Sequence, residues 1–122
     1  MIGLILTSLV ALLHCYFLYL EMFVWEAPRT RTAFNTTAEF AKASKTLAAN
    51  QGLYNGFLAA GLIWGLISTV RGTGIAKFFL ACVIIAGGFG AASVKPSIFY
   101  IQALPAIVAL LTLIISQRQQ NA

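Results

Sequence analysis

The stretch SIFYIQALPAIVALLTLIIS, residues 97–116, decides the fold class. It runs for twenty residues without an Asp, Glu, Lys or Arg. At a rise of 1.5 Å per residue, roughly 20 mainly apolar residues suffice to carry a helix across about 30 Å of hydrocarbon. Three further stretches repeat the pattern, from about Ile2 to Trp25, Leu47 to Val70 and Ile75 to Val94. Helix is the expected state in all four, because an open chain cannot leave backbone groups unpaired in lipid. A barrel would alternate with period two, and these runs do not. The reading is an all-α, four-span transmembrane helix bundle, a single integral membrane domain over residues 1–122.

The whole composition agrees. The chain is 60% hydrophobic and 9% charged, with a mean hydropathy of +0.87. A soluble domain is about 25% charged, and one this small could not cover so much apolar surface. The net charge of +5 does not point to nucleic acid, because the basic residues lie mostly between spans. They read as topology signals and as contacts to anionic lipid head groups. The connection from Glu26 to Thr46 and the Lys95 turn hold five of them, against three at Arg71, Lys77 and Arg118. The lipid bilayer is thus the first partner, and the expected location is the bacterial inner (plasma) membrane. Both termini are expected outside, with the first and third connections cytoplasmic.

Proline and capping signals set the breaks. Ala27-Pro28 is expected to end span 1, and Lys95-Pro96 separates spans 3 and 4. Pro105, inside span 4, should kink it near Ile101. Thr36-Thr-Ala-Glu39 fits a capping box. It predicts a short interfacial helix starting near Thr36 or Thr37 and running toward span 2. Cys15 and Cys82 fall in separate spans with no metal-ligand spacing around them, and read as small buried hydrophobes. Glycines at 52, 56, 61 and 65, and at 87, 88 and 90, predict close helix approach.

Function has to come from the polar side chains inside the spans, since these are costly there. Glu21 lies roughly 6 Å inside the end of span 1 next to the long connection. Asn50, Gln51, Tyr54 and Asn55 lie roughly 5–12 Å inside span 2 from the same face. Tyr100 and Gln102 lie roughly 5–8 Å inside span 4. His14 is seven residues from Glu21, on the same face of span 1 and about 10 Å deeper. Asn50 with Tyr54, and Gln51 with Asn55, are i, i+4 pairs on adjoining faces. These eight residues are the candidate ligand-binding set. Glu21 would supply a carboxylate, the amides would orient a polar ligand, and the tyrosines would add hydroxyls and aromatic walls. The opposing reading is that Asn, Gln and His merely join helices by hydrogen bonds. No metal is expected, since His14 and Glu21 are too far apart for one ion. No sequence feature names a cofactor or a catalytic residue.

The runs His14-Cys-Tyr16, Leu20-Glu-Met-Phe-Val-Trp25 with Pro28, and Asn50-Gln-Gly-Leu-Tyr-Asn-Gly-Phe-Leu-Ala-Ala-Gly61 resemble the small bacterial membrane proteins grouped as domain-of-unknown-function 1304. The resemblance spans nearly the whole chain and implies a four-span inner-membrane protein without an established activity. At the level of fold alone, the chain is also similar to membrane-associated eicosanoid and glutathione metabolism proteins. Asn50 and Asn55 sit where those proteins carry polar span-2 residues, but their glutathione-binding Glu and Arg have no clear counterpart here. The expected function is therefore binding of a small polar or amphipathic molecule in a cytoplasmic-side pocket. A membrane enzyme of glutathione/thiol-transfer or isomerase type is one alternative. A structural or partner subunit is another. Self-association as a homo-oligomer is compatible with each.

Overall fold

The computed structural model describes residues 1–121. The described chain is helical almost throughout: α1 Ile2–Phe23, α2 Pro28–Phe34, α3 Ala38–Ile67, α4 Gly72–Ser93, a π-helical turn Phe99–Ala103, and α5 Leu104–Asn121. Three helical stretches are long and apolar enough to cross a membrane: Ile2–Phe23, Gly72–Ser93 and Phe99–Gln119. Helix α3 is longer than any of these at 30 residues. Its stretch from Lys42 to Asn55 is diluted by Asn50, Gln51 and Asn55 together with Lys42 and Lys45, so it does not join them on apolarity.

Several boundaries differ from the sequence reading. Helix α1 stops at Phe23, and Pro28 opens a separate helix instead of closing span 1. Proline suits a first helical position, where no N–H partner is needed. Helix α2 ends at Asn35, held in the left-handed region at φ 52. That geometry turns its N–H and the next one back onto the Thr32 and Arg31 carbonyls. Helix α3 is capped by Thr37, whose Oγ1 accepts from the Phe40 N–H at 3.1 Å. The cap is thus one residue later than the Thr36–Glu39 box requires. From it, one unbroken helix runs through the region expected to hold an interfacial helix and then a span.

Pro105 acts upstream of itself. It cannot donate to Ile101, and its ring crowds that carbonyl. The chain answers with a widened turn over Phe99–Ala103, in which the Leu104 N–H bonds to the Phe99 carbonyl, five residues back.

The chain forms two compact units, residues 1–12 with 58–122, and residues 13–57. In the first, four helical segments share a core of Val10, Ala11, Leu62, Ala76, Leu80, Val83, Ala106, Ala109 and Leu113. That core is built largely of small side chains, while Ile85 and Phe89 on α4 are more than 70% exposed. Lipid solvates large apolar groups as well as a protein core does, so helices here gain by close backbone approach. A Cβ on Gly65 would come within 2.7 Å of the Ala76 backbone nitrogen, and one on Gly87 within 2.7 Å of that of Ala103. Gly88 departs from the expectation, since a Cβ there meets nothing within 4 Å. Several hydroxyls bond within their own helices. Thr7 bonds to the Gly3 carbonyl at 2.7 Å and Ser93 to that of Phe89 at 2.7 Å.

In the second unit, α2 and the halves of α1 and α3 within residues 13–57 are tied by mixed contacts. Trp25 packs edge to face on Phe34, with centroids 4.9 Å apart, and its Nε1 donates to Ser44 Oγ at 3.1 Å. Lys45 pairs with Glu26 at 2.7 Å.

Candidate functional site

Two helical stripes build the site in residues 13–57. On α1, His14 and Glu21 are 0% and 7% exposed. Their spacing of seven is two helical turns, which keeps both on the inner face. On α3, Ala41, Ala48, Gly52 and Asn55 follow one another down the inward stripe. Gly52 lets α1 come close: a Cβ there would lie 2.7 Å from Met22 Cγ, 3.0 Å from Glu21 Cβ and 3.2 Å from the Leu18 carbonyl oxygen. One turn further on, Asn55 Nδ2 donates to Glu21 Oε2 at 2.7 Å. The bond joins residues 34 apart in sequence. Among the described residues, no other hydrogen bond reaches the Glu21 carboxylate.

The remaining candidates are distributed differently. Gln51 sits about 60° to one side of the α3 stripe, Tyr54 about 120°, and Asn50 near the back, at about 100° per residue. All three are exposed, Tyr54 by 59%. The Tyr54 ring packs edge to face on Phe57, with centroids 5.9 Å apart. The i, i+4 rule groups side chains along a helix, but it does not say which group turns inward. His14 is enclosed, with its imidazole edge-on to Phe17 at 5.8 Å. Tyr100 and Gln102 belong to the other unit, where both lie in the π-helical turn. Tyr100 is exposed and packs on Phe99, and Gln102 is half-buried. Cys15 is exposed and Cys82 half-buried, so Cys15 is not the enclosed hydrophobe expected. Among the described residues, no group of three or more His, Cys, Asp or Glu side chains comes together.

The family described as "Protein of unknown function (DUF1304)" matches residues 8–114. The chain belongs to the DUF1304 family. It is similar to the uncharacterized protein YpaA of Lactococcus lactis subsp. lactis (strain IL1403), at 34% identity over 110 residues. That alignment covers 88% of this chain and 92% of the relative. No solved structure matches it. The family match takes in Glu21, Asn55 and the whole of residues 13–57.

Two features near the site escaped the sequence reading. One is α2 itself, signalled by Pro28 at its first position and an Asn seven residues later, a start-and-stop pair. The other is the Glu26–Lys45 pair. Lys45, which donates to it and faces it in charge, holds the Glu26 carboxyl below the usual carboxylate range. Arg31, on α2, keeps its Nε buried without a hydrogen-bond partner. It borders an open groove of about 350 Å³ with Pro28, Thr32, Asn35 and Thr36.

Proposed function

We propose that this DUF1304 protein is a four-span protein of the bacterial plasma membrane that binds a small polar or amphipathic molecule through Glu21. A ligand group that donates hydrogen bonds, such as an amine or hydroxyl, would suit that carboxylate. The observation that carries the reading is the Asn55–Glu21 bond. It fixes one carboxylate oxygen at 2.7 Å and leaves the other without a bond among the described residues. A carboxylate on the inner face of an apolar helix is costly, and such residues by default mark functional sites. Helix α3 would be the fourth span, crossing with its C-terminal part, while α2 and the first turns of α3 would rest at the cytoplasmic interface. The basic residues of the first and third connections support this orientation. The exposed Asn50, Gln51 and Tyr54 could then serve the same ligand or meet a second copy of the chain, since amides facing lipid seek partners.

The test is native mass spectrometry of wild type and Glu21→Gln purified in mild detergent. A bound molecule below about 1 kDa on wild type and absent from the variant is expected. An adduct equally present on both, or on neither, refutes the reading. Adding glutathione to the same samples tests the thiol-transfer alternative. A second reading has its own support. The tight approach of α1 at Gly52 and Gly56 suits a structural clamp in which Glu21 and Asn55 do nothing but join two helices.

A further inference from the structure

The unit formed by residues 1–12 and 58–122 carries a second feature, unrelated to Glu21. A groove of about 540 Å³ is lined by Trp64, Arg71, Gly74, Ile75, Phe78 and Phe79. Its walls are aromatic and aliphatic except at Arg71, which stands in the turn between α3 and α4. The volume falls within the range of about 300–1,000 Å³ that holds small-molecule ligands. Gly74 contributes open space, because a Cβ there would meet no atom within 4 Å.

Charge defines the occupant. The three acids of the chain are Glu21, Glu26 and Glu39, so none lies in this unit. Among the described residues, Arg71 has no carboxylate partner. Lys77 lies on the first turns of α4 and donates to Gln117 near the end of α5. That contact brings Arg118, the next residue, to the same end of the unit. This end is therefore basic, with no carboxylate paired to it among the described residues, and it sits at the termini of apolar helices, where lipid head groups would lie.

We propose that this groove holds a single anionic phospholipid. Its phosphate would pair with the Arg71 guanidinium, which offers several donors to phosphate oxygens. One acyl chain would lie along Trp64, Phe78 and Phe79 over Gly74. Arg71 gives the site its preference for an anionic head group, and Gly74 leaves room for the chain.

Thermal unfolding of the purified protein in nonionic detergent tests this. The ligands are phosphatidylglycerol, phosphatidylcholine with the same acyl chains, and inorganic phosphate. Phosphatidylglycerol is expected to raise Tm at concentrations about tenfold lower than phosphatidylcholine, whose choline cation offsets the phosphate charge that Arg71 meets and so weakens that contact. Inorganic phosphate is expected to do nothing, because it has no chain to bury. Arg71→Gln should abolish the preference between the two lipids. Gly74→Leu should fill the groove and remove stabilisation by both, while leaving the lipid-free Tm unchanged or higher, since Leu favours helix over Gly. Equal effects of the two lipids on wild type, or an undiminished lipid effect in Gly74→Leu, would overturn the proposal. Glu21→Gln should leave every one of these shifts intact, so the outcome stands apart from that of the Glu21 reading.

Discussion

Replacing Glu21 and Asn55 by apolar side chains of similar volume, singly and together, probes the contact on which the site depends. Asn55→Leu leaves the Glu21 carboxylate in its enclosed position, 7% exposed, without the one donor it has among the described residues. Stranding an enclosed acceptor costs about 1–3 kcal/mol. Glu21→Met strands only a neutral amide, which Asn55 at half-burial can turn toward other partners, so about 1 kcal/mol is expected. The double variant strands nothing and should lie within about 1 kcal/mol of wild type, because well-packed apolar replacements for buried polar pairs are often neutral or stabilising. The coupling, the sum of the two single costs less that of the double variant, should then reach about 1–4 kcal/mol, at or above the maximum of about 1.7 kcal/mol that interhelical hydrogen bonds yield in membranes. Reversible unfolding in mixed detergent micelles, followed by tryptophan fluorescence, reads these free energies. Costs that add to within about 0.5 kcal/mol would mean that the two residues do not act on each other. The clamp reading and the ligand reading both require this coupling. Only the ligand reading also requires that the stable double variant lose its bound small molecule.

Two further outcomes follow from the packing and the charges. Gly65→Ala should destabilise by about 1–3 kcal/mol, because its Cβ would meet the Ala76 backbone at 2.7 Å, where no side-chain rotation relieves it. Gly88→Ala, facing open space, should be neutral or stabilising by up to about 1 kcal/mol, and the same micelle assay separates the two. Glu26, paired with Lys45, should titrate below the usual carboxylate value of about 4.3. A carboxyl lowered in the folded state adds stability at pH above its unfolded value and loses it as pH falls through the folded one. The change therefore belongs below about pH 4.3, and its size is small because the pair is solvent-exposed. NMR of the Glu26 carboxyl carbon should show the lowered midpoint, and Lys45→Met should return it toward the ordinary value.

The amino-acid order by itself determined that the chain is helical and built for lipid. That follows from counting apolar runs against bilayer thickness, a one-dimensional matter that needs no knowledge of neighbours. It also marked Glu21 and Asn55 as costly residues at one depth, and the family kinship was legible in the runs around them. It could not say which polar side chains meet. Asn50, Gln51, Tyr54 and Asn55 share two turns of α3, and only the angular position of the partner helix distinguishes them. Gly52 settles that position: α1 presses where there is no side chain, and Asn55, one turn on, faces Glu21 while the other three remain outside. The start of α2 at Pro28 and the π-helical turn before Pro105 were likewise decided in three dimensions. A proline announces that a helix must change, but whether it ends, begins or widens depends on which backbone partners the surrounding chain supplies.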